Sequence, residues 1–204
     1  MNLKSIFQRK QDHTSQAFFE KMYASKADPW AFETSKYERS RYTAIFEALK
    51  HRRYAHAFEP GCAIGVLTEQ LATLCDRVDA TDISPTAIRR TAERCRNLPN
   101  VHTTCGALPA LIPDGPFNLI VLSEIGYYFE EPILLDLANS LVDRMATSGT
   151  LIAAHWLGTS KDHLLHGDRV HEILATIPGV TLEHSERHPS TQHAGFRLDR
   201  WCRS

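Results

Sequence analysis

The sequence predicts an α/β protein built on a doubly wound parallel sheet, and three stretches carry that prediction. Tyr54 to Asp82, YAHAFEPGCAIGVLTEQLATLCDRVDATD, reads as strand, glycine turn, helix and second strand with an acid at its tip. Phe117 to Ser123, FNLIVLS, is a continuous apolar run, the pattern of a central parallel strand buried on both faces. The C-terminal part reads as a helix followed by a hairpin, which makes an antiparallel last strand.

Taken in order, residues 14 to 50 read as two amphipathic helices joined by an aromatic linker. Phe18, Phe19, Met22 and Tyr23 form one apolar face; Tyr42, Ile45, Phe46 and Leu49 form the other. The stretch between them, Ala27 to Tyr42, contains Trp30, Phe32, Tyr37, Arg39 and Arg41. Its aromatic rings either pin a cap, residues 1 to 50, onto the sheet domain of residues 51 to 204, or close over a ligand. In the second case Arg39 or Arg41 offers a forked donor to a carboxylate.

Ala55 to Phe58 is a short, largely apolar run ending in Glu59, and Gly61 and Gly65 then flank a turn with no side chain to block a ligand. Leu67, Leu71 and Leu74 follow at i, i+4 and i+7, one stripe of a helix. Arg77 to Asp82 returns as the second strand. In a right-handed βαβ unit Asp82 sits beside the glycine turn, where a carboxylate accepts both hydroxyls of a ribose. A dinucleotide site wants G-x-G-x-x-G, but here Ala63 replaces the middle glycine and Glu59 precedes the first. That acid repels a pyrophosphate and suits a cationic amino-acid moiety. From this stretch alone, other doubly wound proteins with a tight first turn stay open.

Ser84 and Pro85 suit the N-cap and first position of a helix running to about Arg96, whose Arg89, Arg90, Arg94 and Arg96 read as a solvated face. Val101 to Cys105 is a short, half-polar strand suited to a sheet edge, followed by Gly106-Ala107-Leu108. The run ending at Ser123 leads into Glu124-Ile-Gly126-Tyr127-Tyr128, at the carboxyl end of a central strand, where open α/β sheets bind ligands. Ile133, Leu134, Leu137, Leu141 and Met145 mark a helix, Ser148-Gly149 a turn, and Thr150 to Ala154 a fifth strand ending in His155-Trp156. A helix around 168 to 176 and strands near 180 to 186 and 196 to 202 complete the chain. His155, His163, His166 and His171, with Asp168, invite a metal reading, but Gly167 breaks the element that would hold His163 and His166, and none of these four histidines forms an i, i+4 pair with a nearby glutamate, so no metal site is expected.

At 204 residues with a net charge of −1, the chain has length for one well-buried domain and no field that calls for nucleic acid or an anionic membrane. Its five cysteines show no C-x-x-C spacing and read as reduced thiols. The N-terminal MNLKSIFQRKQDH lacks an apolar core, so a cytoplasmic protein is expected. The oligomeric state is not legible.

The glycine turn and Asp82 resemble motif I and the acidic loop of class I S-adenosylmethionine-dependent methyltransferases. With Asp-Pro-Trp at 28 to 30, Tyr-Glu-Arg at 37 to 39, Glu-x-Gly-Cys-Ala-x-Gly at 59 to 65 and Ser-Glu-Ile-Gly-Tyr-Tyr at 123 to 128, the chain resembles the nodulation protein S (NodS) methyltransferases over roughly residues 20 to 160. The resemblance implies a Rossmann-like seven-stranded methyltransferase sheet with an antiparallel last strand and an N-terminal helical cap. It implies S-adenosylmethionine as cofactor and S-adenosylhomocysteine as product. That family methylates the free amine of a de-N-acetylated chitooligosaccharide, which suggests an amine or amino-sugar acceptor here. Carried over by position, Gly61 and Gly65 match the cofactor turn, Asp82 the ribose ligand and Ile83 the residue packing on adenine. Arg39 matches a cap residue near the methionine carboxylate, with Trp30, Tyr37, Glu59 and Ser123 also expected at the cofactor. Ala107 stands where relatives often place an acid for the adenine amine, leaving adenine to backbone groups near Leu108. Asn118 stands where many relatives have aspartate.

Methyl transfer from a sulfonium is an in-line displacement, and an amine must lose a proton before its lone pair attacks. Glu124 is the first candidate for positioning or deprotonating the acceptor, His155 the second and Tyr128 the third, with Glu124 equally able to hold a cap amide instead. Rival readings are an O-methyltransferase of a small metabolite, a nicotinamide-dependent oxidoreductase, and a non-catalytic cofactor-binding module.

Overall fold

The structure is a computed structural model that describes residues 14–49 and 52–204; the readings made for residues 1–13, 50 and 51 lie outside that range. Two helices, α1 (Gln16–Ser25) and α2 (Lys36–Leu49), precede β1 (Tyr54–Pro60), α3 (Val66–Leu74), β2 (Cys75–Asp82), α4 (Pro85–Arg94) and β3 (Val101–Cys105). Then come β4 (Phe117–Ser123), a single 3-10 turn at Gly126–Tyr128, α5 (Glu131–Asp143), β5 (Met145–Trp156), α6 (Gly167–Leu174), β6 (Val180–His188) and β7 (Phe196–Arg203). The seven strands form one sheet in the order β3-β2-β1-β4-β5-β7-β6. β1 to β5 pair in parallel, whereas β7 is antiparallel to both β5 and β6. The half-polar β3 does lie at an edge and the apolar β4 at the centre.

The unbroken apolar run of β4 reflects burial on two faces. Leu119 and Val121 pack with Ile45, Leu49, Leu67 and Leu71 from α2 and α3. Ile120 and Leu122 point the other way, onto Leu134, Leu137, Leu141 and Leu174 from α5 and α6. Alternate residues of a strand face opposite sides, so both sets must be apolar. Each fully buried leucine contributes about 1.5–3 kcal/mol.

Two boundaries differ from the sequence reading. β2 begins at Cys75, directly after Leu74, because Tyr54 of β1 pairs with Cys75 and Cys75 is fully buried. Met145, read as part of a helix stripe, is the first residue of β5 and pairs with Phe117; the register then shifts before Leu119 meets Thr150. Ser148, at φ +59°, and Gly149 lie in that irregularity rather than in a turn before the strand.

The arginine-rich α4 is not simply solvated. Arg90 donates to the carbonyls of Lys26 (3.1 Å) and Ala27 (2.9 Å), and Arg94 to that of Ile64 (2.9 Å) while pairing with Glu33 and Glu69. From α1, the Glu20 carboxylate accepts from the Ser84 hydroxyl and from the Thr86 hydroxyl and N–H, at 2.5 to 3.0 Å. Those bonds hold its pKa down at about 2, and place a negative charge at the N-terminus of α4. The helices before β1 are thereby tied to the sheet just beyond the tip of β2. Among the described residues no helix is long and apolar enough to cross a membrane.

Candidate active site

Parallel strands end on one side of the sheet, so Glu59, Asp82, Ser123 and Trp156 gather at one edge. There a cavity of about 660 Å³ opens, walled on the N-terminal side by Phe19, Tyr23, Trp30, Phe32 and Tyr37. The glycine turn forms its floor. Gly61 (φ +73°) and Gly65 (φ +79°) occupy the left-handed region, and a Cβ on Gly61 would meet Ile125 Cγ2 at 2.3 Å, so the turn and the segment after β4 are in direct contact. Gly65 itself lies behind the wall as the N-cap of α3, against Thr91.

Asp82 is 7% exposed and faces the cavity. Its Oδ2 accepts from the Ala63 N–H (3.0 Å) and its Oδ1 from the Ser84 N–H (2.8 Å). A carboxylate has about four acceptor sites, so one lone pair on each oxygen remains for a diol. Burial raises its pKa to about 6 against these backbone donors. Ile83, Ala107 and Leu108 line the neighbouring wall, which is made of apolar side chains and backbone. Glu59 is buried beside the turn, its Oε2 without a hydrogen-bond partner among the described residues. Burial pushes its pKa to about 8, and an orphaned buried acid fits a ligand's ammonium group.

Arg39 and Arg41 separate cleanly. Two residues on a helix turn about 200°, so only one of them faces inward. Arg39, assigned to the methionine carboxylate, is exposed, donates to the Thr34 carbonyl (2.9 Å) and is absent from the cavity wall; that assignment is corrected. Arg41 is the inward residue, 2% exposed. It donates to Glu38 and to the Ser123 hydroxyl, lies 3.8 Å from Glu124 and packs over the rings of Tyr42 and Tyr37. Burial alone would lower its pKa, but Glu124 and Glu38 hold it charged.

Glu124 has φ +59°, a left-handed conformation rare for a side-chain-bearing residue. Its carboxylate is over-determined: Oε1 accepts from the Trp156 N–H (2.7 Å) and the Tyr37 hydroxyl (3.4 Å), Oε2 from the Tyr127 hydroxyl (2.7 Å). Tyr127, Tyr128 and Trp156 line the cavity around it. Asn118 is remote from this wall; its side chain accepts from the His56 N–H (3.1 Å) and joins β4 to β1.

His155 does not reach the cavity, and its candidacy as a base fails. It is fully buried, and its Nε2 already accepts the Gly126 N–H (3.0 Å). Its Nδ1 then carries the proton and donates to His171 Nε2 (3.1 Å), whose Nδ1–H donates to Asp199 (2.8 Å). Burial first, then His171, lowers the His155 pKa well below the usual imidazole value. This chain fixes the 3-10 turn that presents Tyr127 and Tyr128. The site also contains residues the sequence reading passed over as cavity groups: Asp162, His163 and His193. In the sequence His163 reads only as a candidate metal ligand, because nothing local shows that the loop after β5 folds back over Tyr127.

Fold and cavity define a class I S-adenosylmethionine-dependent methyltransferase. A family model for nodulation protein S (NodS) matches residues 11–170, and the chain belongs to that family. It is 30% identical over 173 residues to nodulation protein S of Bradyrhizobium diazoefficiens, covering 82% of this chain and 81% of that one. It is 31% identical over 127 residues to nodulation protein S of Sinorhizobium fredii, covering 61% and 59%. The crystal structure of the N-methyltransferase NodS from Bradyrhizobium japonicum WM9 in complex with S-adenosyl-L-homocysteine superposes with a TM-score of 0.82 at 24% identity, over 94% of this chain and 98% of that one.

Proposed function

We propose that the chain transfers the methyl group of S-adenosylmethionine to the nitrogen of a small amine or amino sugar. The observation that carries the reading is the Glu124 carboxylate, fixed by three donors on a cavity wall of Tyr127, Tyr128 and Trp156 beside the glycine turn. One acceptor site on it remains for an N–H, and aromatic faces attract a cationic or C–H-rich group. The description of the Bradyrhizobium japonicum NodS as an N-methyltransferase supports the same reading.

The donor set fits the cofactor on its own terms: Asp82 for the ribose, Glu59 for the ammonium group, Ile83 and the backbone near Leu108 for adenine. When bound, S-adenosylmethionine supplies an electrophilic methyl on a sulfonium. The protein's part is alignment. Glu124 accepts one N–H of the acceptor and turns its lone pair toward the glycine turn, while the ring wall excludes water. Trp30 and Tyr37 close the site from the N-terminal side, and Tyr128 is a wall ring set T-shaped to Phe19, centroids 5.1 Å apart.

The test is transfer of labelled methyl from S-adenosylmethionine to glucosamine, de-N-acetylated chitooligosaccharides and simple amines, with hydroxyl and carboxyl compounds as rivals. Selective N-methylation is expected, and Glu124→Gln, which misplaces the acceptor nitrogen, should cut turnover by about 10² with cofactor affinity kept. Selective O-methylation would favour a small-metabolite O-methyltransferase, and no transfer despite cofactor binding would favour a non-catalytic module.

A further inference from the structure

His163 has no role in the scheme above, yet its surroundings are specific. The loop after β5 returns so that the N–H groups of Leu164 (2.8 Å) and Leu165 (3.2 Å) donate to the Tyr127 carbonyl. That anchoring lays the His163 ring flat on Tyr127, centroids 3.7 Å apart and 16° from parallel, with Tyr128 edge-on at 5.4 Å and Trp156 at 6.0 Å. The Tyr127 hydroxyl in turn bonds Glu124 (2.7 Å), so imidazole and carboxylate share one wall. His163 Nδ1 is buried without a hydrogen-bond partner among the described residues, and no hydrogen bond there engages its Nε2. A cavity-lining imidazole whose ring nitrogens take no hydrogen bond among the described residues is free to act on a ligand.

The geometry points to His163 as the group that takes the acceptor's proton, with Glu124 as the anchor of its nitrogen. This rests on the amine reading above. In the step, R–NH3⁺ gives one proton to His163 Nε2, and the freed lone pair forms the new N–CH3 bond. The methyl–sulfur bond breaks with its electron pair going to sulfur, leaving a neutral thioether and R–NH2CH3⁺. His163 then releases its proton to water. Facing the ring are Asp162 and His166 from its own loop, Glu124 from the end of β4, Tyr127 and Tyr128 from the 3-10 turn, and His155 from β5. Burial outweighs the two carboxylates and keeps the imidazole pKa below its usual value, so it is neutral at pH 7.

The experiment compares wild type, His163→Ala and His163→Gln with an amine that wild type methylates, across pH 6 to 9. Removing a general base should lower kcat by about 10²–10⁴ at pH 7, with S-adenosylhomocysteine affinity by calorimetry unchanged. The deficit should shrink as alkaline pH deprotonates the acceptor, and added imidazole should restore part of the rate to His163→Ala. Unchanged kcat, or an equal loss at every pH with loss of cofactor affinity, would overturn the assignment. A second readout needs no turnover: nitrogen-edited NMR of the cofactor-free protein should show His163 unprotonated at Nε2 at pH 7, with that resonance moving on addition of glucosamine. A protonated or insensitive Nε2 would also overturn it. Failure of wild type to methylate any amine sinks the amine reading instead, and the NMR result then decides His163 alone.

Discussion

Replacing Glu59 by glutamine should separate stability from binding. Glu59 is buried with one oxygen unpartnered, and its pKa is pushed to about 8. At pH 7 the cofactor-free protein therefore holds it about nine-tenths protonated. An ammonium group docking against it favours the carboxylate, so binding S-adenosylhomocysteine releases that proton. The ligand's own amino group, of ordinary α-amino basicity, takes up about 0.1–0.2 proton as it becomes fully charged, leaving a net release of about 0.7–0.8 per site. The same shift sets a stability slope. A carboxyl whose folded pKa lies above its unfolded value binds more protons when folded, so stability falls as pH rises from about 4.5 to about 8. Glu59→Gln removes that loss, an upper bound of about 4–5 kcal/mol at pH 8 and above. It should thus raise the Tm of the cofactor-free protein at alkaline pH. Binding should weaken by about one to two decades, the loss of a charge-assisted hydrogen bond. Calorimetry at pH 7 in buffers of different ionisation enthalpy reads the proton count directly. Proton release that is absent in wild type, or undiminished in Glu59→Gln, would refute this reasoning.

Asp82→Ala should weaken S-adenosylhomocysteine by about one to two decades; in wild type, affinity should decline as pH falls below about 6, where Asp82 protonates, and pH-independent binding would remove Asp82 from the ribose site. Gly61→Ala must place a Cβ 2.3 Å from Ile125 Cγ2 at φ +73°; thermal and cofactor titrations should show a loss of stability of about 1–2 kcal/mol or more together with weaker binding. Asp199→Asn removes the anion that accepts from the His171 ring, the Ser185 hydroxyl and the Arg197 guanidinium, and should cost about 3 kcal/mol or more, a fall in Tm of about 6–12 °C, with turnover falling further than cofactor affinity.

The sequence disclosed what depends on local pattern. The 3.6-residue stripe of α3, the two-sided apolar run of β4 and the glycine turn each state their structure within a few residues. Asp82 and Glu124 were legible because strand ends in a parallel sheet share one edge. The failures came where distant segments meet. Arg39 and Arg41 lie on one helix, and which faces inward depends on how α2 sits against β7 and β5. His155 ends a strand at the correct edge, yet α6 supplies His171 and β7 supplies Asp199 to take its ring away from the cavity. Conversely, His163 belongs to an irregular loop, and only its bonds to the Tyr127 carbonyl bring it into the site.

The most direct test of the account is a calorimetric titration of the purified protein with S-adenosylhomocysteine, alongside NAD. The glycine turn, Glu59 and Asp82 predict saturable binding of one S-adenosylhomocysteine per chain with release of a proton at pH 7, and no binding of NAD. Binding of NAD with none of S-adenosylhomocysteine would contradict it.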